Sequence, residues 1–205
     1  MKPSLKLLYT ALAATLLLSL AVGGASANRL SLSENQFDIR WGALEFVPSS
    51  GSTVRCPVTL LGTFHSQTIR KVINNLIGAV DHAVVANALC VGGRATVLTA
   101  TLPWHVRYNG FTGTLPNITG VGLTLVGASF RIDNGTLSCL ARTDTTDPAG
   151  GIANVSGGQV RTLTADSSRT IDLENEGFCA FGSGRFAGTG DVENRRGGLL
   201  FISLI

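Results

Sequence analysis

Lysine has almost vanished from this chain. After residue 27 Lys71 stands alone, no methionine follows Met1, and charged residues make up only 14% of the sequence. Sixteen basic residues against thirteen acidic ones leave a net charge of +3, and Lys2 and Lys6 supply two of those positive charges. What remains is close to neutral, with its arginines scattered. That pattern lacks the basic stripe by which proteins hold nucleic acid or an anionic membrane surface. Long apolar runs are also missing: beyond residue 27 none approaches the ~20 residues of a membrane-spanning helix. G-x-S-x-G, H-E-x-x-H and C-x-x-C do not occur after that point either. Their absence argues against a nucleophile elbow, a zincin site and the common paired-cysteine zinc motifs.

What is present begins with a leader. Lys2 and Lys6 precede an apolar run from Leu7 to Val22, and Ala25-Ser26-Ala27 closes it with small residues. A basic start, a short apolar stretch and an A-x-A end predict a secretory signal peptide over residues 1–27, of bacterial form. The expected mature chain is residues 28–205, one β-rich domain. It is expected to be secreted and extracellular, or periplasmic if the host is Gram-negative. All four cysteines, Cys56, Cys90, Cys139 and Cys179, fall in that part. An even number in an oxidising compartment predicts two disulfides, for which three connectivities exist. Cys56–Cys90 with Cys139–Cys179 is favoured, because each bridge closes its own stretch of ~35 to 40 residues, worth roughly 3–4 kcal/mol in the chain-entropy model.

Short alternating segments between turn signals recur along the mature chain. Thr53 to Gly62 predicts a strand in which Pro57 marks an edge or a bulge. Ala95 to Leu102, Trp104 to Phe111 and Gly120 to Ile132 follow, the last interrupted at Gly127. Asp133-Asn134-Gly135 predicts a hairpin turn, since Asn-Gly accepts the positive φ a tight turn requires. Strands of this kind predict an all-β fold, a disulfide-braced antiparallel β-sandwich or open barrel with at most one short helix. That helix would lie at residues 67–80. There Ile69, Val72, Ile73, Leu76, Ile77 and Val80 have helical spacing, yet β-branching, Asn74-Asn75 and Gly78 favour two strands divided at the asparagines. The stretch from Asp144 to Gly158 predicts a mobile loop. Leu199 to Ile205 predicts a buried terminal strand, preceded by glycine-spaced phenylalanines that offer a second source of apolar surface.

Candidate functional residues are few. In the heptad Leu102 to Tyr108, Trp104, Val106 and Tyr108 share one strand face and His105 and Arg107 the other. Trp104, His105 and Tyr108 are therefore the candidate ligand-binding set, against the duller reading of Trp104 as a core plug. His65, His82 and His105 are the only histidines, and one of them with a serine or carboxylate would make a hydrolase. Asp172, Glu174 and Glu176 alternate, so a strand would align them as calcium ligands or as a solvated face. No cofactor, metal site or catalytic set is expected.

The motifs Cys56-Pro57-Val58-Thr59, Gly62-Thr63-Phe64-His65-Ser66, Cys90-Val91-Gly92-Gly93 and Thr101-Leu102-Pro103-Trp104-His105-Val106 carry a resemblance. Over roughly residues 54–132 the chain resembles uncharacterised secreted β-proteins of actinobacteria, which implies no activity. More distantly, the Cys-Pro-led strand, the second cysteine and Leu-Pro-Trp are similar to secreted activators of alkane oxidation. That resemblance implies an exported accessory protein associated with hydrophobic substrates, and no site residue follows from it. The expected function is that of a secreted, non-enzymatic accessory or binding protein engaging apolar material or the cell surface. The alternative is a secreted hydrolase. Partners would be an apolar ligand or a surface component, with no nucleic acid and no transmembrane span. Oligomeric state is left open.

Overall fold

The computed structural model describes residues 29–49, 52–135, 138–175, 179 and 182–205. The leader and Glu176 lie outside the described residues. Among those described there is no α-helix, only 3-10 turns at Asn87–Leu89 and Thr99–Thr101. The strands are β1 (Arg29–Leu32), β2 (Gln36–Pro48), β3 (Val54–Phe64), β4 (Thr68–Arg70), β5 (Leu76–Val85), β6 (Arg94–Val97), β7 (Trp104–Thr114) and β8 (Asn117–Val126). Then follow β9 (Ser129–Asp133), β10 (Ser138–Arg142), β11 (Ala149–Ser156), β12 (Gln159–Ala165), β13 (Ile171–Asn175), β14 (Ser183–Ala187), β15 (Thr189–Glu193) and β16 (Leu200–Leu204).

Eight of these close into a ring. β2, β3, β5, β7, β8, β11, β12 and β15 pair antiparallel in chain order. β15 then returns to β2 through Asp191↔Arg40 and Glu193↔Asp38. The all-β expectation therefore resolves into a closed up-and-down barrel rather than a sandwich, and closure removes the sheet edges that invite aggregation. Burial alternates strictly along β3, with Val54, Cys56, Val58, Leu60 and Phe64 inside. Outward positions carry residues such as Arg55, His105 and Asp191. An apolar interior with a polar exterior is the reverse of a barrel built to face lipid.

The remaining strands leave the ring at its two ends. Between β5 and β7, β8 and β11, and β12 and β15 the chain makes excursions at one common end. Those excursions assemble as a side sheet in the order β6-β9-β10-β13-β14, joined to the second half of β2 through β14. This is the wing end. At the other end β4, β1 and β16 form a three-stranded strap attached to β12. Leu30, Ile69, Leu200 and Ile202 of the strap are buried.

Particular residues account for these elements. Pro57 faces the bulge of β2 between Trp41 and Leu44 and lies just beyond the paired part of β5, so its missing N–H breaks no ladder bond. The 67–80 segment is strand, turn and strand: β4 ends at Arg70, Asn74 takes a φ of 64°, and β5 starts at Leu76. Gly127, at φ 88°, ends β8 and turns the chain into β9, which pairs with β10 across the Asp133–Gly135 turn. The Asp144–Gly158 expectation is corrected. Asp144 makes a short turn by accepting the amides of Thr146 and Asp147, after which β11 is a ring strand. Its small residues gave no hydrophobic signal because they face the interior. β16 is half-buried rather than buried, with Phe201 outward between Leu200 and Ile202.

Both disulfides form with the favoured pairing, Cys56–Cys90 and Cys139–Cys179. The first ties β3 of the ring to the chain entering β6. The second ties β10 of the wing to the segment after β13. Both staples therefore serve the wing end, where the excursions have few ladder bonds to the barrel.

Candidate functional site: the barrel interior

The ring does not fill its own lumen. Eight strands make an interior just wide enough to be packed by side chains or to hold one small ligand, and which outcome holds depends on side-chain size. β2 and β3 contribute large residues, among them Phe37, Ile39, Trp41, Leu60 and Phe64. β11 turns Ala149, Gly151, Ala153 and Val155 inward and sends Ile152 outward to solvent. Opposite the large residues, that row of Ala and Gly leaves an apolar cavity of about 130 Å³. Its walls include Phe37, Trp41, Val106, Val121, Ala153 and Leu163, and Thr124 supplies the one polar side chain among them.

Apolar side chains line both ends of the lumen. At the strap end Leu32, Ile69 and Ile202 cover it, beside the Phe37–Phe64 ring pair at 4.7 Å. At the wing end four rings run in series across the barrel mouth. Phe46 meets Phe186 at 5.8 Å, Phe186 meets Phe130 at 5.6 Å, and Phe130 meets Trp104 at 5.2 Å. These tilted and edge-on contacts are the favoured geometries for aromatic pairs.

The large rings of β2 lie over glycines. A Cβ on Gly184 would stand 2.6 Å from Phe46 Cζ, and one on Gly190 would stand 2.8 Å from Trp41 Cδ2. Gly62 is likewise covered by Phe37, with the Ala79 carbonyl on its other side. In each case the missing side chain on one strand makes the space for an aromatic ring on its neighbour. The indole Nε1 of Trp41 is buried with no hydrogen-bond partner, an unmet donor in the wall of the lumen.

The structure separates the residues singled out by sequence. Trp104 and Tyr108 are buried and flank Val106 on the inward face of β7, while His105 points outward and is exposed. Trp104 donates from Nε1 to the Thr101 hydroxyl at 2.8 Å and belongs to the aromatic plug, not to the cavity wall. Burial pushes the Tyr108 hydroxyl above its ordinary pKa. His65 and His82 are exposed as well. Among the described residues no imidazole hydrogen-bonds a serine or a carboxylate, and no group of three or more His, Cys, Asp and Glu side chains has metal-binding geometry. Asp172 and Glu174 are exposed on β13, and Glu174 pairs with Arg142 at 3.3 Å. The residues that shape the cavity, Ala149, Gly151 and Ala153 above all, escape sequence reasoning because their contribution is the volume they omit.

No family model, curated protein or solved structure matches this chain. The geometry of the lumen is thus the main guide to function. No helix among the described residues is long and apolar enough to cross a membrane.

Proposed function

We propose that this is an exported, non-enzymatic binding protein that takes a small apolar molecule into the barrel lumen. The observation that carries the reading is the apolar cavity of about 130 Å³ in the barrel lumen. An apolar cavity of roughly 150 Å³ is large enough to bind benzene and otherwise stays dry. Water gains little in a space whose polar groups are the Thr124 hydroxyl and the Trp41 indole N–H, so an apolar guest has little strongly held solvent to displace. The volume also sets the guest: a single ring or a short alkyl chain, not a long-chain lipid. Two disulfides suit an oxidising location, and the resemblance to secreted activators of alkane oxidation points toward hydrophobic substrates.

The test is calorimetric titration of residues 28–205 with benzene, cyclohexane, hexane and hexadecane. Saturable binding of the small guests with a negative heat-capacity change, and none of hexadecane, is the expected result. Absence of binding for every small guest would remove the proposal.

A further inference from the structure

Exposed large apolar residues occur at both ends, with Val84, Leu89 and Val91 at the wing end, and the larger group lies toward the strap end. Val72 and Ile73, at 58% and 65% exposure, stand at the apex of the turn leading into β5, and Leu76 follows at 41%. The β7–β8 hairpin beside it carries Phe111 at 36% and Leu115 at 47%. This turn is held, not floppy. The amide of Asn75 donates to the Val72 carbonyl, that of Asn74 to the Tyr108 carbonyl, and that of Tyr108 to the Asn75 carbonyl. Backbone bonds on both sides therefore fix a loop whose apolar side chains are displayed to solvent.

Cations surround this patch. Arg29 stands directly opposite Arg70 in the β1–β4 pairing, a like-charge juxtaposition that is unfavourable in a sheet unless something else answers it. Lys71 follows, with its ammonium 5.5 Å from the centre of the Phe111 ring. Among the described residues neither arginine has a carboxylate partner, as is also true of Arg94, Arg107, Arg161, Arg185 and Arg196, whereas Arg40, Arg55, Arg142, Arg169 and Arg195 are paired. The segments that build this end are 29–38, 66–78, 107–121, 150–162 and 193–205. They hold Arg29, Arg70, Lys71, Arg107, Arg161, Arg195 and Arg196 against Glu34, Asp38 and Glu193.

We infer that the strap end is a docking surface for an anionic lipid bilayer, Val72, Ile73 and Phe111 entering the interface while Arg29, Arg70 and Lys71 meet lipid phosphates. Apolar side chains beside uncompensated cations are the combination that holds a peripheral protein at such a surface. The inference stands independently of the lumen: a barrel that binds no small guest would dock in the same way.

Flotation of residues 28–205 with vesicles tests it, using phosphatidylcholine alone and phosphatidylcholine mixed with phosphatidylglycerol. The protein is expected to float with the mixed vesicles only, and to be released by high salt. A cation near such a surface contributes about five-fold to affinity, so Arg70→Glu should weaken binding by roughly tenfold or more. Ile73→Asp should also remain unfloated, while both variants keep the wild-type thermal midpoint. Leu89→Asp, at the wing end, should float as wild type does. Equal flotation with neutral vesicles, no flotation, or an Arg70→Glu variant that floats normally would each overturn the inference. So would a dimer in sedimentation that Ile73→Asp dissolves, since the patch would then be a contact between copies.

Discussion

Ala153 is small, buried and part of the cavity wall. Leucine there would fill space rather than compete for it. Ala153→Leu is expected to abolish uptake of the small apolar guest with a thermal midpoint equal to or above wild type, since cavity volume itself costs stability. A binding isotherm and a melting curve on the same sample check both halves. Gly62 makes the opposite case. A methyl group there would meet the Phe37 ring and the Ala79 carbonyl. Gly62→Ala should destabilise the barrel by about 1–3 kcal/mol, the usual cost of overpacking, as read from denaturant unfolding. Asp166 gives a pH-dependent case. The Ser168 hydroxyl, with the Ser168 amide and Arg169, holds its carboxyl below the ordinary value. A group depressed on folding adds stability above its unfolded pKa of about 3.9, and that contribution disappears as the pH falls through the lower folded value. Asp166→Asn should therefore lower the midpoint near neutrality and make little difference in strong acid.

The side sheet depends on its staples more than the ring does. Among the described residues β6 pairs only with β9, and β14 joins β13 through two register positions, Ile171↔Gly184 and Asp172↔Ser183. Cys56–Cys90 and Cys139–Cys179 close loops of 34 and 40 residues around those weak joints. Replacing either pair with alanine is expected to cost about 3–4 kcal/mol, and hydrogen exchange should report where. The amides of β6 and β9 should lose protection first in Cys56→Ala/Cys90→Ala, while β3 and β8 stay protected. Much of this level was legible in the sequence, because a disulfide pairing and an Asn-Gly turn are local signals. β11 was not. Its Ala-Gly-Gly-Ile-Ala-Asn stretch has strand periodicity only once the inside of the barrel is known to want small residues.

At the scale of the whole molecule the decisive contact is the seam where β15 meets β2. Asp38 is 5% exposed, and it accepts from Arg40 at 3.2 Å while Arg195 stands 3.9 Å away. Arg40 also reaches Glu193 at 3.2 Å, so one small charge network spans the joint. Removing the buried carboxylate with Asp38→Ala leaves Arg40 and Arg195 without their shared anion and should cost about 1–3 kcal/mol, much of the pairing being solvent-screened at the arginines. Chemical denaturation with a salt series is the measurement. The loss relative to wild type should shrink as salt rises.

The sequence by itself determined the β class, the disulfide pairing and the inward row Trp104, Val106 and Tyr108 of β7, because alternation, turn chemistry and cysteine spacing can be read along the chain. Closure, the cavity and the cationic apolar face were decided by tertiary structure alone. Arg29 and Arg70 read as scattered charges until β1 pairs with β4 and sets them opposite each other. Ala149, Gly151 and Ala153 read as loop until the ring places them across from Phe37 and Trp41. In both cases the property is a sum over residues far apart in sequence. Charge density belongs to a surface and empty volume to an enclosure, and neither exists before the strands close.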